Sequence, residues 1–156
     1  MDKNANQYMC TKVFRGFPCT HRQWRAKSHC KFVHGYDRTI KIVFKCIELT
    51  PEGWVMDFGD LKDIRKYLEA MFDHTFLIAL DDPELETFKA LDDKNVIDLR
   101  VMPNPGIEGS CYFVYETMSK ILKGQTNGRV YIHSVEIKEN EKNSAIYYGP
   151  SNPFTE

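Results

Sequence analysis

Between Thr39 and Ile47 polar and apolar residues alternate, with Ile40, Ile42, Phe44 and Cys46 on one side, the period of a half-buried antiparallel strand. The stretch Tyr8 to Phe17 reads as an earlier strand. Pro51, Glu52 and Gly53 supply a turn, and Trp54 to Met56 is a short apolar piece. From Asp57 the period becomes helical: Leu61, Ile64, Leu68, Met71 and Phe72 fall on one stripe, Asp57 or Asp60 can cap its start, and the helix should finish near Asp73-His74. Asp81, Asp82 and Pro83 break the chain, and Glu84 to Asp93 reads as a short polar helix or loop.

Val96 to Met102 is expected as a strand, ended by Pro103-Asn104-Pro105-Gly106. A second helix should run from about Glu108 to Leu122, turning Cys111, Val114, Met118, Ile121 and Leu122 inward and stopping at Gly124. Gly128 to Glu139 and Ser144 to Tyr148 are the last strands, separated by a polar turn, and residues 149–156 read as a tail. The order implies an α+β fold, an antiparallel sheet with two helices on one face. At 156 residues, without a linker or repeat, the chain fits one domain over 1–156 that can bury a core without help from disulfide or metal.

The formal charge of -1 argues against a general nucleic-acid coat. Yet between Lys12 and Lys41 the chain carries Lys12, Arg15, Arg22, Arg25, Lys27, Lys31, Arg38 and Lys41 against one acid, Asp37. An anionic ligand, phosphate first, suits that stretch. The five cysteines are an odd number, and no N-terminal apolar run resembles a signal peptide. Together these suggest reduced thiols in a cytoplasmic protein. No run reaches the roughly 20 apolar residues of a membrane span.

The basic stretch contains Cys19-Thr20-His21 and Cys30-Lys31-Phe32-Val33-His34-Gly35-Tyr36. His34 and Tyr36, two apart at a strand start, share a face, and His21 could lie opposite them in a hairpin. That arrangement offers part of a zinc site, with His29, Tyr36 or water as a third ligand. A closed structural knuckle of Cys19, His21, Cys30 and His34 is the competing reading, although its spacing is not a common finger pattern. Cys30, flanked by His29, Lys31 and nearby Lys27, has the electropositive setting of a nucleophile or base. Cys46 and Cys111 lie on apolar periods and read as core. Asp73-His74 pairs a carboxylate with an imidazole, an arrangement suited to proton transfer, though both residues also end helices. On a strict two-residue period Glu136 shares a face with Val130 and Ile132, where a carboxylate needs a partner with adjacent N–H donors.

Taken in order, these segments resemble the 6-pyruvoyltetrahydropterin synthase and 6-carboxytetrahydropterin synthase family from about Phe14 to Tyr148. The anchors are Cys19-Thr20-His21-Arg22, Cys30 to Tyr36, Gly53-Trp54-Val55-Met56-Asp57-Phe58-Gly59-Asp60-Leu61-Lys62, Asp73-His74, Pro105-Gly106-Ile107-Glu108 and Val135-Glu136. The resemblance implies a tunnelling fold (T-fold), in which sheets of several subunits close an oligomeric barrel, typically a homohexamer of two trimers with sites between subunits. It implies a zinc-dependent lyase acting on 7,8-dihydroneopterin triphosphate. His21 and His34 would be metal ligands, with His29 or Tyr36 third; Cys30 would be the thiol base, Asp73 and His74 the proton relay, Glu136 the pterin anchor and Glu108 a further acid near the ring. The Cys30-x3-His34 spacing is closer to the bacterial 6-carboxy enzymes, which lead toward deazapurines such as queuosine. The chain departs from the family at His34-Gly35-Tyr36, where the usual motif is His-Gly-His. Losing that imidazole should weaken zinc unless His29 or another group replaces it. The alternative is a non-catalytic, zinc-stabilised module binding pterin or nucleic acid.

Overall fold

The computed structural model describes residues 8–151 and 153. The expectation about the N-terminal residues, and half of the expected tail (152 and 154–156), lie outside them. Two long strands form the centre: β1, Met9–His21, and β2, His34–Cys46, pair antiparallel from Met9↔Lys45 to His21↔His34. The first expected strand thus runs on to His21. The register slips between Phe14 and Phe17, where Gly16 takes a φ of +85°, and this bulge keeps both phenylalanines buried three residues apart.

A single 3-10 turn at Phe58–Leu61, whose first N–H groups are capped by the Asp57 carboxylate accepting from the Gly59 N–H at 2.8 Å, leads into α1, Lys62–Phe72. Its stripe of Ile64, Leu68 and Phe72 is buried, as the helical period predicts. His74, at φ +57°, reverses the chain, and β3, Phe76–Ala79, follows. This strand was not expected from sequence. All four of its residues are buried, so it lacks the alternation that marks a one-sided strand. It pairs parallel to β1 and to β4, Leu99–Met102.

The polar segment before β4 is a helix, α2, Leu85–Asp93, whose Phe88 ring stacks on Phe76 at 4.7 Å. Next comes α3, Ile107–Thr126, which passes through Gly124 and ends at Asn127 in the left-handed region. Nothing lies within 4 Å of a Cβ at Gly124, so neither packing nor dihedral forces a stop there. β5, Val130–Lys138, and β6, Ser144–Tyr148, complete a sheet ordered β4-β3-β1-β2-β5-β6. The fold is α+β, with an antiparallel body extended by a parallel β3–β4 edge and, among the described residues, three α-helices rather than two. Helices α1 and α3 share one core with the inward residues of β1, β2 and β5. Cys46 and Cys111 belong to it, and burial pushes the Cys111 thiol up to about 12. The first residues of the expected tail are docked: the Gly149 N–H donates to the His133 carbonyl, and the Tyr131 hydroxyl donates to the Ser151 carbonyl.

Candidate active site

The β1–β2 pairing sets His21 directly opposite His34, and Cys19 opposite Tyr36, all on the inward face. The His21 and His34 ring centroids are 4.6 Å apart, and Tyr36 meets His34 edge-on at 5.6 Å. Between them Gly35 has no room for a side chain: a Cβ there would lie 2.8 Å from the Cys19 carbonyl oxygen.

Hydrogen bonds fix both tautomers. A carbonyl only accepts, so the 2.7 Å contact from His34 Nδ1 to the Phe32 oxygen makes Nδ1 the donor and leaves the Nε2 lone pair free. A guanidinium only donates, so the 3.3 Å contact between Arg38 and His21 Nδ1 makes that nitrogen the acceptor and puts the His21 proton on Nε2. His21 is neutral. Burial, helped by Arg38 and His34, lowers its pKa from the usual imidazole value to about 3.

Arg38 is the residue beside the histidine cluster whose place the sequence analysis did not anticipate. It was counted among the cations of the basic stretch, yet it is fully buried, tying β2 to the start of α3 through bonds of 2.8 Å to Ser110 Oγ and 2.8 Å to the Pro105 carbonyl. Its Nε has no partner, and none of the ion pairs among the described residues involves it. The signal was present: stepping back by two from Ile42 and Ile40 puts Arg38 on the apolar face of β2.

The Asp73-His74 pair is made. His74 Nδ1 lies 2.6 Å from the Asp73 carboxylate, and its backbone N–H is held at 2.7 Å by the Pro18 carbonyl of β1. His74 lines a cleft of about 500 Å³ together with Tyr36, Asp37, Thr75 and Asp98, so Tyr36 bridges the histidine cluster and the acid–base pair.

Other expected site residues lie apart. His29 and Cys30 occupy a separate 3-10 turn, and among the described residues no group of three His, Cys, Asp or Glu comes together to hold a metal. The Cys19/His21/Cys30/His34 knuckle is therefore not assembled. Glu108 is exposed in the first turn of α3, between the two residues that grip Arg38. Glu136 does not share a face with Val130 and Ile132. A bulge lets Val43 pair with Ser134 and Phe44 with Ile132, leaving His133 extra and reversing the alternation. Val135 and Ile137 turn inward instead, and Glu136 faces outward in a groove of about 320 Å³ with Arg15, Lys41 and Lys138. The basic stretch is partly used internally: Arg22 clasps the buried Asp82 carboxylate through contacts of 2.7 and 2.6 Å, and Arg25 pairs with Asp81 at 2.7 Å.

A mixed sheet with a two-stranded antiparallel centre, two helices over one face and a histidine cluster at the end of the first hairpin matches a known class. The profile of the 6-pyruvoyl tetrahydropterin synthase family matches residues 10–150, and this chain belongs to that family. The chain is 33% identical over 77 residues to a Rickettsia typhi 6-carboxy-5,6,7,8-tetrahydropterin synthase, a match spanning 49% of this chain and 55% of that protein, so about half the length of that relative is matched. It is 25% identical over 156 aligned residues to the Aquifex aeolicus protein of the same name, with 88% and 95% coverage. An uncharacterized protein from Wolinella succinogenes superposes with a TM-score of 0.79 at 22% identity, covering 91% of this chain and 98% of that one. The Caenorhabditis elegans 6-pyruvoyl tetrahydropterin synthase gives 0.63 at 19% identity, with 91% and 95% coverage. At such identities these superpositions establish the shared T-fold.

Proposed function

We propose that this chain is a lyase of the tetrahydropterin synthase type that acts on 7,8-dihydroneopterin triphosphate and forms the 6-carboxy rather than the 6-pyruvoyl product. Family membership supports the substrate class. The names of the curated relatives and the Cys30-x3-His34 spacing support the 6-carboxy branch, the one leading toward deazapurines such as queuosine. One observation carries the catalytic part: the 2.6 Å Asp73–His74 contact beside a cleft that Tyr36 shares. Asp73 accepts the Nδ1 proton, which directs the other ring nitrogen, Nε2, to exchange protons with a ligand. Cys30 is the second acid–base group, and Glu108 and Glu136 hold the pterin ring.

Glu136 points away from His21 and His34 on the opposite side of the sheet. The ring is therefore held by Glu136 from a neighbouring copy, in an assembly of two trimers. A cytoplasmic setting belongs to the same reading, supported by five cysteines that are all free. Among the described residues no helix is long and apolar enough to cross a membrane.

The family resemblance implies zinc, but the donors of this chain do not fit it. Two imidazoles are present where three are expected, one of them already accepts from a guanidinium, and Tyr36 offers only a phenol. Incubation with dihydroneopterin triphosphate and mass analysis of the product tests the proposal: a 6-carboxy product is expected, lowered about 100-fold or more in His74→Asn, the scale of a lost general acid–base group. Absence of both pterin binding and product, or an unaffected His74→Asn variant, overturns it. Binding without product identifies a pterin-binding relative, the reading that the Tyr36 replacement favours.

A further inference from the structure

A fully buried arginine with no carboxylate partner is costly, because its charge has left water without a counter-charge. Arg38 has three hydrogen-bond acceptors, all neutral: the Ser110 hydroxyl, the Pro105 carbonyl and His21 Nδ1. Its Nε is left without one, and the Phe72 ring lies 6.0 Å from the guanidinium carbon. Glu108 and Glu139 attract the charge from a distance, but among the described residues no carboxylate pairs with it, and it sits in hydrogen-bond contact with one of the two imidazoles that a metal would need.

Two physical consequences follow. A divalent cation bound by His21 and His34 would share low-dielectric surroundings with a fixed positive charge, which disfavours it. The Arg38 bond also places the His21 proton on Nε2, so this nitrogen is a donor and has no lone pair to give. A ligand oxygen can use a donor, whereas a metal cannot.

We propose that Arg38 takes the electrostatic place of the metal, holding His21 as a fixed Nε2–H donor, so that the His21–His34–Tyr36 cluster is a metal-free site for an oxygen-bearing anionic ligand. Arg38 acts through His21 and is a positioning residue. The inference deepens the pterin reading by assigning the group that faces the substrate oxygens, but its tests do not depend on turnover.

The full chain, stripped with a chelator and then exposed to excess zinc, should emerge from gel filtration without stoichiometric metal. Long-range proton–nitrogen spectra should show His21 protonated at Nε2 and bare at Nδ1, unmoved by zinc. Tyr36→His restores a third imidazole but leaves Arg38 and should still not retain zinc. Adding Arg38→Met should bring uptake to one zinc per chain, and cobalt should then give the intense visible bands of a tetrahedral site. Arg38→Lys, which keeps the charge, should restore exclusion. Stoichiometric zinc on the unaltered protein, a His21 proton on Nδ1, or tight zinc binding by Tyr36→His alone would each overturn the inference. The first two measurements use the unaltered chain and so stand even if the Arg38 variants fail to fold. Loss of turnover with these results intact would refute the enzymatic reading and leave the inference standing.

Discussion

Asp82 has no exposed side-chain surface and takes two hydrogen bonds from Arg22 and a third from the Glu84 N–H. Burial alone would raise its pKa, but those donors outweigh it and hold the carboxyl below the ordinary range. A carboxylate depressed in the folded state adds stability that is complete above its unfolded pKa, about 3.9, and is lost as pH falls through the lower folded value. Asp82→Asn should therefore cost about 2 kcal/mol at neutral pH. It should also flatten the acid limb of urea midpoint against pH, and an unchanged limb would show that the clasp contributes no acid sensitivity. Gly35→Ala should cost about 1–3 kcal/mol in urea unfolding, because the new Cβ meets the Cys19 carbonyl oxygen, held in the backbone of β1, as well as the Thr20 methyl. At this scale the sequence revealed the types of the site residues but not their partners. The His21–His34 apposition and the Asp73–His74 pair were legible from spacing. Arg38 lay on a readable strand face, but its bonds to Ser110 and Pro105 join residues far apart in sequence, which no local pattern encodes.

The strand β5 shows why element phase, and not only element position, governs function. Its limits were read to within two residues, yet one extra residue at His133 turns everything after it over. The outward phase makes a testable contrast. Val135→Ala should cost about 2 kcal/mol or more, because a fully buried side chain leaves a cavity. The neighbouring Glu136→Ala should stay within about 0.5 kcal/mol in the same urea titration while weakening pterin binding. Equal losses would return Glu136 to the core. The helices α1 and α3 were readable because each buries a single stripe, and the 3-10 turn that leads into α1 starts at a side-chain cap that the sequence announces at Asp57. β3 was not readable, since burial on both sides erases the alternation. That omission mattered, because β3 pairs with β1 at Thr20 and His21 and thereby brings His74 against the histidine hairpin.

Across the whole molecule the candidate groups divide between two faces of one sheet. The histidine cluster and Arg38 face the helices, whereas Glu136 lies in the outward groove with Arg15, Lys41 and Lys138, so a single copy cannot close both around one small ligand. An assembly resolves this if the groove of one copy abuts the His74 cleft of the next, each copy lending half of every site around a closed ring. Sedimentation should then show a species heavier than the monomer. A more demanding test uses two variants that are inactive alone, His74→Asn and Glu136→Ala, unfolded together and refolded at equal concentrations. If a site takes His74 from one copy and Glu136 from its neighbour, random association makes about one quarter of sites fully native, and activity should recover to about that fraction. If both residues serve the same copy, every site in the mixture carries one defect, and activity should remain at the level of the separate variants.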